Sequence, residues 1–283
     1  NFNQLSFGRT LPKLPIDPVN QTSTGQYYTY VTGGSWALSA QIESQKYKNS
    51  SLNDGGTNPA KIEIGTNLNL ISQSEGLVGY WSFDEGSGTV AYDYSGYGNH
   101  GTLYNGPTWV DGKVGKALSF DGVDDHLRVN NFGDFRVFTV KAWIKRTGGT
   151  SDRESIVSYK EGSINNCGFV LSLNEDGISQ YPRIWVRIGG IWYNTEQALG
   201  IPLNNFVFLT ASYDGNTIKL YRDGNLVAFR SISGLMNQCT DNIGMGSRAS
   251  WHVNWFPGLI DEVRIYNRAL SDAEIQAIYN ATK

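Results

Sequence analysis

Short segments in which apolar and polar positions alternate fill most of the chain from Leu77 onward, with turns rich in Gly, Asp and Asn between them. In one of these segments, every second position is apolar: Phe138, Val140, Ala142 and Ile144. A period of two predicts a strand that buries one face. Such segments recur about every 8–15 residues, and this spacing is typical of an antiparallel β-sandwich.

The C-terminal third of the chain contains the clearest local signals. In the segment TIKLYRDGNLVAF, Asp223 and Gly224 fit the two-residue turn of a β-hairpin. Farther on, Ser271 and Glu274 are spaced as a capping box, which marks the start of a helix. These signals predict one tight hairpin and a single terminal helix.

Residues 1–72 form a compositionally distinct unit. After a Pro-punctuated loop, the segments YYTYV and WALSAQIES flank a Thr-Gly-Gly turn and predict a hairpin, and KIEIGTNLNLI predicts a third strand. Three strands bury too little apolar surface to be stable alone, so we expect a helix to cover their apolar face. A polar linker at residues 73–76 separates this unit from residues 77–283.

Charge and composition exclude several functional classes. The chain has 33 Gly, 16 Tyr and 8 Trp residues, which favours an all-β protein with many turns. Its formal net charge of -3 leaves no basic patch for nucleic acid. No run of about 18 apolar residues is present, so the chain as given predicts neither a membrane span nor a signal peptide. Its abrupt start at Asn1 indicates a processed or truncated protein.

The chain has two cysteines, Cys167 and Cys239. In an exported protein, an even pair favours a disulfide bond. Closing a loop of this length would stabilise the fold by about 4 kcal/mol in the chain-entropy model. Two unpaired buried thiols are the alternative, and the spacing does not fit a zinc site.

Three long motifs identify a family resemblance. They read LVGYWSFDEGSGTVAYDYSGYGNHGTL from Leu77, GKVGKALSFDGVDDHLRV from Gly112 and FPGLIDEVRIYNRALSDAEIQAIY from Phe256. In this order they resemble the opening and closing strands of a laminin-G-like, or concanavalin A-like, lectin module. The resemblance covers residues 77–283 and implies a mainly β fold, a jelly-roll β-sandwich.

The resemblance also implies a structural calcium ion. The loop YDYSGYGNHG carries the side-chain oxygens of Asp93, Ser95 and Asn99, and Ca²⁺ takes six to eight oxygen ligands. In the resembled family a calcium commonly lies at such a loop. Asp261 would lie beside it if the first and last strands pair, so these four residues are the expected ligands. Alternatively, Asp93 and Asn99 cap turns and bind no metal.

Two other acidic segments are weaker metal candidates. The segment FDGVDDHL contains Asp121, Asp124 and Asp125, but Asp-Gly turns between strands are ordinary, and a turn is the favoured interpretation. Asp54, in NDGGTN, is best interpreted as part of a solvated loop.

Sugar binding requires an aromatic ring for the apolar face of a pyranose and planar polar groups for its hydroxyls. Three loops offer both: SDRESIVSYKEGSINN, IGGIWYNTE and SRASWHVNW. Exposed tryptophans often mark binding sites, although Trp192 and Trp255 could instead plug the ends of the core. The predicted sugar-binding residues are Arg153, Tyr159, Asn165, Trp192, Arg248, Trp251, His252 and Trp255.

No catalytic pattern stands out, so we predict that the protein is not an enzyme. Jelly-roll glycosidases use paired carboxylates about 5–9 Å apart, and related endoglucanases place them on one strand in an ExDxE-type pattern. This sequence lacks that pattern. Asp261 and Glu262 are adjacent, so strand alternation predicts that they point to opposite faces. No GxSxG, HExxH or P-loop motif occurs.

The N-terminal unit resembles the C-terminal half of a type IV pilin or pseudopilin. The shared features are the LPIDP loop, the aromatic YYTY strand and the hairpin that follows it. In that family a long N-terminal helix anchors the subunit in the membrane and later in the filament core. The given sequence does not contain that helix. We expect contact with a membrane only through such an N-terminal helix, and not through the residues given.

Together the two resemblances predict an extracellular adhesin, a minor pilin at the tip of a cell-surface pilus with a C-terminal lectin module. Its expected partners are glycans on host or neighbouring cells and other pilin subunits. Two alternatives remain open. One is a laminin-G-like module that binds protein, and the other is a carbohydrate-binding module of a glycosidase system.

Overall fold

The computed structural model describes residues 28–32, 36–41, 61–65, 75–134, 136–148, 154–159, 167–173, 181–197, 199–237, 241–249 and 253–283. The chain divides into two compact units, Asn1–Ser74 and Glu75–Lys283. Within the described ranges, no helix is long and apolar enough to span a membrane.

The first unit contains a three-stranded antiparallel sheet. Its strands are β1 (Tyr28–Thr32), β2 (Trp36–Gln41) and β3 (Lys61–Gly65), and β2 lies in the middle. The strand pattern predicted a hairpin followed by one more strand, and the backbone follows it. A sheet of this size occurs in many folds and does not by itself identify a family.

The described residues of the second unit form sixteen strands and one helix. The strands are β4 (Leu77–Trp81), β5 (Val90–Ala91), β6 (Gly101–Tyr104), β7 (Thr108–Asp111), β8 (Lys116–Asp121), β9 (His126–Phe132), β10 (Phe138–Arg146), β11 (Glu154–Tyr159), β12 (Phe169–Leu173), β13 (Pro182–Ile188), β14 (Ile191–Glu196), β15 (Phe206–Tyr213), β16 (Thr217–Arg222), β17 (Asn225–Ser231), β18 (Asp241–Met245) and β19 (Pro257–Tyr266). The helix, α1, spans Asp272–Thr282.

These strands form two antiparallel sheets of eight strands. Sheet I has the order β17–β16–β15–β10–β19–β8–β7, and β4 also pairs with β19. Sheet II has the order β14–β13–β12–β11–β18–β9–β6–β5. The two sheets enclose one apolar core, so the predicted jelly-roll β-sandwich is confirmed.

Residues at every second position supply the core, as the alternation predicted. Phe138, Val140, Ala142 and Ile144 of β10 all belong to it, because successive side chains of a strand point to opposite faces. At the β16–β17 hairpin, Asp223 and Gly224 both have positive φ, 50° and 78°, as a two-residue hairpin turn requires.

Helix α1 covers the outer face of sheet I. Its N-cap is Ser271, whose hydroxyl accepts from the Glu274 N–H while the Glu274 carboxylate accepts from the Ser271 N–H, so the predicted capping box is formed. A second apolar cluster forms between the helix and the sheet: Trp143, Phe208, Tyr221, Tyr266, Leu270, Ile275 and Ile278. Sheet I is therefore buried on both faces where the helix packs.

A β-bulge in β19 changes the direction of two acidic side chains. Between the pairs Lys141–Arg264 and Trp143–Asp261, two residues of β19 oppose one of β10, and Glu262 has a φ of 54°. Both Asp261 and Glu262 therefore lie outside the core, beside the apolar cluster under α1. The prediction that they point to opposite faces was wrong, since the bulge interrupts the alternation.

A buried ion pair joins the two sheets. Arg146 ends β10 in sheet I and Glu154 begins β11 in sheet II, and both are almost fully buried. The Arg146 guanidinium donates from Nε and Nη2 to the two carboxylate oxygens of Glu154, each at 2.6 Å. This bidentate pair connects the sandwich layers at the end of both strands.

Candidate functional site

Strand alternation builds a polar and aromatic surface on the outer face of sheet II. On β13, Ile184 and Val186 enter the core, so Arg183, Trp185 and Arg187 point to the other side. The same argument applies to neighbouring strands. It places Tyr104, His126, Arg128, Ser155, Ser158, Ser172, Trp192 and Asn194 on this outer face.

Two tryptophans lie on adjacent strands of this face. Trp185 of β13 is opposite Asn194 of β14, and Arg187 is opposite Trp192, so the two indoles are diagonal neighbours. Both indoles are half-buried. We call Arg183, Trp185, Arg187, Trp192 and Asn194 the tryptophan patch.

Arginines cover the rings of the tryptophan patch. The Arg183 guanidinium lies 5.8 Å from the centre of the Trp185 ring, and that of Arg187 lies 5.6 Å from the Trp192 ring. Arg183 also pairs with Glu196, and Arg187 Nε donates to the Gly190 carbonyl at 3.2 Å. These contacts hold planar guanidinium donors beside aromatic faces, a combination that suits sugar rings and their hydroxyls.

The described parts of the loop after β18, residues 247–249 and 253–255, lie over the same face. Ser158 Oγ donates to the Ser247 carbonyl at 3.2 Å and accepts from the Ala249 N–H at 2.9 Å. A Cβ on Gly244 would lie 2.7 Å from the Ala249 nitrogen, so only glycine allows this close approach. The described part of the loop is thus held against the middle of sheet II.

On the other side of this loop, three aromatic rings form a stack. Tyr104, which is 40% exposed, stacks on His126 with ring centres 5.0 Å apart and planes 11° apart. The Trp255 ring lies 5.6 Å from His126 at 43°. We call Tyr104, His126 and Trp255 the histidine stack; it belongs to the same outer face as the tryptophan patch.

The structure assigns different places to the predicted sugar-binding residues. Trp192 and Trp255 lie on the outer face of sheet II, and Arg248 lies in the loop over it. The prediction that Tyr159 binds sugar was wrong, because this side chain is fully buried and contacts Phe132 and Phe169 in the core. Four further predicted residues lie outside the described ranges: Arg153, Asn165, Trp251 and His252.

Sequence reasoning missed Trp185, Arg183, Arg187, Tyr104 and His126. A signal existed for three of them. In the segment RIWVRI, Ile184 and Val186 alternate with the arginines and the tryptophan, so a strand with one buried face presents those three side chains outward.

The loop at residues 92–100 is organised around Asp93. The Asp93 carboxylate accepts from the N–H groups of Tyr80, Ser95 and Asn99 and from the Ser95 hydroxyl, at 2.8–2.9 Å. The Asn99 side chain donates to the Val78 carbonyl at 2.9 Å. Four donors thus occupy the lone pairs that a cation would need, so this arrangement does not fit Asp93 as a calcium ligand.

Asp261 has hydrogen-bond partners different from those of Asp93. One carboxylate oxygen accepts from the N–H groups of Lys113 and Val114, at 2.8 and 3.0 Å, in the turn between β7 and β8. β4 and β19 do pair, as expected, but the pairing begins at Val263 and Trp81. The hydrogen-bond partners described for Asp261 are therefore residues outside the loop that holds Asp93, Ser95 and Asn99.

The carboxylate oxygens of Asp121, Asp124 and Asp125 lie within 4.8 Å of one another. Asp121 Oδ1 accepts from the N–H groups of Val123, Asp124 and Asp125, and Asp125 Oδ2 accepts from the Asp121 N–H. These bonds account for the cluster as the capped turn between β8 and β9.

We expect a chelator to leave thermal stability unchanged, because protein donors saturate the Asp93 carboxylate. The check is the melting temperature in EDTA, followed by excess CaCl₂, with a shift below about 2 °C expected in each step. A calcium site loaded at about 100 times its Kd would give a fall of roughly 5–10 °C on chelation. A fall of that size, reversed by CaCl₂, would contradict the hydrogen-bonded account of this loop.

Comparisons with solved structures agree with this fold. Domain 4 of AbnA, a GH43 extracellular arabinanase from Geobacillus stearothermophilus solved with arabinotriose, is 22% identical with a TM-score of 0.60, over 73% of this chain and 98% of that one. The binding domain of Paraclostridial Mosquitocidal Protein 1 is 18% identical (TM-score 0.58; 74% and 53% covered), and that of botulinum neurotoxin serotype D is 16% identical (0.58; 74% and 52%). The matched part spans about half of each toxin domain, and at these identities the likeness shows the fold alone.

No curated protein matches the sequence. Residues 121–276, more than half of the chain, match the family described as the concanavalin A-like lectin/glucanases superfamily, Laminin_G_3. The strand order of the two sheets and the match to this family agree: the chain belongs to the concanavalin A-like lectin/glucanase superfamily.

Proposed function

We propose that residues 77–283 form a lectin module that binds glycans on the outer face of sheet II. The observation that supports this most directly is the tryptophan patch, where Trp185 and Trp192 are diagonal neighbours and arginines lie on both rings. Indole faces stack on the apolar side of a sugar, and guanidinium groups donate to hydroxyl or carboxylate oxygens. The arabinanase domain solved with arabinotriose, which shares the fold, makes a saccharide the first ligand to test.

Binding fits this face better than hydrolysis does. The tryptophan patch and its border contain one described carboxylate, Glu196, and it is paired with Arg183. Glycoside hydrolysis needs two carboxyl groups that face the substrate about 5–9 Å apart. Asp261 and Glu262 do lie on one side of β19, but both are buried on sheet I beside α1.

We expect Trp185→Ala to weaken glycan binding by roughly 30-fold, since a central stacking aromatic contributes about 2 kcal/mol to such a surface. A glycan array would first select the saccharide, with arabinotriose included, and calorimetry would then compare the purified proteins. Phe229→Ala is the matched control, because Phe229 is a 65% exposed aromatic on β17 of sheet I. Unchanged melting temperatures would show that both variants remain folded.

Three results would each contradict a part of this proposal: its ligand class, its site or its assignment as a binding module. If the wild-type protein bound no glycan on the array, the lectin hypothesis would be rejected, and a module that binds protein would be the better interpretation. If Trp185→Ala bound its glycan as tightly as Phe229→Ala does, the site would lie elsewhere on the module. Sugar release from a polysaccharide would show that the chain is an enzyme.

We further propose that the lectin module acts in adhesion at the cell surface, carried by a pilin-like N-terminal unit. The resemblance of residues 1–72 to the C-terminal half of a type IV pilin supports this role, with a three-stranded sheet in the same region. Other pilin subunits would then be the partners of that unit. Immunogold labelling of pili with an antibody to residues 77–283 tests the idea, and label confined to the secreted medium would argue for a carbohydrate-binding module of a glycosidase system.

A further inference from the structure

Three tyrosines are exposed together on the loop between β5 and β6. Tyr92, Tyr94 and Tyr97 are 50%, 55% and 67% exposed. This tyrosine loop, residues 92–100, precedes Gly101, whereas Tyr104 of the histidine stack lies at the other end of β6. The loop is therefore separate from the proposed glycan-binding surface. Clustered exposed aromatic rings of this kind mark interaction sites on soluble proteins.

Hydrogen bonds already fix the backbone of the tyrosine loop. The four bonds to Asp93 hold its centre, and the Tyr94 N–H donates to the Tyr80 carbonyl at 2.7 Å. The Asn99 carbonyl accepts from the Trp81 indole at 2.9 Å. Because these internal hydrogen bonds hold the backbone of the loop, binding would require little of the entropic cost of ordering it.

The surroundings of the tyrosines are acidic. Asp84 and Glu85 precede the loop, and Glu85 accepts from the Tyr92 N–H at 2.8 Å. Burial first, and then the charges of Glu85 and Asp84, raise the pKa of Tyr94, so its phenol stays protonated at neutral pH. Residues 84–100 contain no lysine or arginine. Like charges would therefore disfavour an anionic ligand here, in contrast to the arginines of the tryptophan patch.

We propose that the tyrosine loop is a second saccharide-binding surface of the module, selective for uncharged oligosaccharides over their acidic counterparts. Tyr94 and Tyr97 offer ring faces for stacking and hydroxyl groups that both donate and accept, and Asp84 offers acceptor oxygens for sugar hydroxyls. The ligand class rests on the glycan-binding function proposed above. Two sites on one module would raise its avidity for a polymeric glycan beyond the affinity of either site.

The test is an NMR titration of the full-length chain with saccharides, in which the backbone amide signals of residues 75–283 are followed one by one. The probes are arabinotriose, maltotriose, cellotriose, xylotriose and lactose, with 3′-sialyllactose as the charged counterpart of lactose. We expect at least one uncharged probe to shift the amides of residues 92–99, with lactose favoured at least tenfold over 3′-sialyllactose if lactose is that probe. The double variant Tyr94→Ala/Tyr97→Ala should weaken this binding at least tenfold and leave shifts near Trp185 intact.

The outcomes separate the two proposals. Shifts near Trp185 and Trp192 without shifts at residues 92–99 would overturn the second site and leave the proposed function standing. No shift anywhere with any probe would count against both. Loop shifts that survive in the double variant, or loop shifts with a hexalysine peptide but with no sugar, would also overturn the saccharide assignment. Phe229→Ala, at an exposed aromatic residue on another strand, should behave as wild type.

Discussion

Replacing Glu154 by Gln is expected to lower the free energy of unfolding by about 3–5 kcal/mol, because it removes the charged carboxylate from a buried, bidentate pair with the Arg146 guanidinium. The pair is bidentate, with both Nη2 and Nε of Arg146 at 2.6 Å from carboxylate oxygens, and almost no water reaches it. For a domain of this size, such a loss corresponds to a fall in Tm of roughly 6–20 °C. Urea unfolding followed by fluorescence would measure it.

The exposed pair between Asp111 and Lys116 supplies the matched control. Its N–O distance is also 2.6 Å, but the two side chains are 92% and 47% exposed. Asp111→Asn should therefore change stability far less than Glu154→Gln does, because solvent screens an exposed pair. The double variant Arg146→Met/Glu154→Leu should recover much of the loss, since apolar residues can replace a buried ion pair. A loss for Glu154→Gln no larger than that for Asp111→Asn would mean that the pair does not hold the sheets together.

Replacing Asp261 by Asn is expected to stabilise the protein at pH 7 by about 2–4 kcal/mol and to have little effect at pH 4. Asp261 is buried, one of its oxygens has no hydrogen-bond partner within the described structure, and burial raises its pKa to about 7. The N–H groups of Val114 and Lys113, and the Lys141 ammonium, oppose this increase, and Glu262 adds to it. At about 1.4 kcal/mol per pKa unit, the difference from the ordinary value of 3.8 gives the upper end of the range.

The direction of this pH dependence follows from the number of protons that Asp261 binds in the folded and in the unfolded state. Below about pH 3, Asp261 is protonated in both the folded and the unfolded state. At pH 4 the folded carboxyl keeps its proton, and the carboxyl of the unfolded chain, with a pKa of 3.8, is a little less than half protonated, so the difference between the two states is still small. Between about pH 4 and pH 7 the unfolded chain loses this proton and the folded protein keeps it, so the wild-type loses stability as pH rises. Burial also lowers the pKa of Lys141 to about 7, but that group changes stability mainly above pH 7. Urea unfolding at pH 4, 5.5 and 7 would test this, and a gain for Asp261→Asn that is equal at all three values would refute it.

The sandwich was predictable because its strands follow the simplest rule of burial. Phe138, Val140, Ala142 and Ile144 alternate in the sequence and enter the core together. The Asp223–Gly224 turn and the Ser271 capping box depend only on neighbouring residues, so they were also predictable. In these elements the local preference of the sequence agrees with the overall fold, so the local pattern was enough to predict them.

The candidate site was less predictable because it depends on which strands become neighbours. Trp185 and Trp192 meet only because β13 and β14 pair in one register, and His126 meets Trp255, which lies 129 positions farther along the sequence. Tyr159 looked like a surface residue among polar neighbours, but β11 is buried on both faces. The bulge at Glu262 shows the limit of alternation, since one extra residue reverses the faces on its C-terminal side.

The central position of β19 in sheet I has a consequence for synthesis of the protein. β19 pairs with β10, β8 and β4, so three segments from different parts of the chain share a partner that is translated last among the strands. Until residues 257–266 leave the ribosome, the edges of these earlier strands stay open and can pair wrongly. Sheet I should therefore be completed only once β19 has been made, and its long-range pairings favour slow folding.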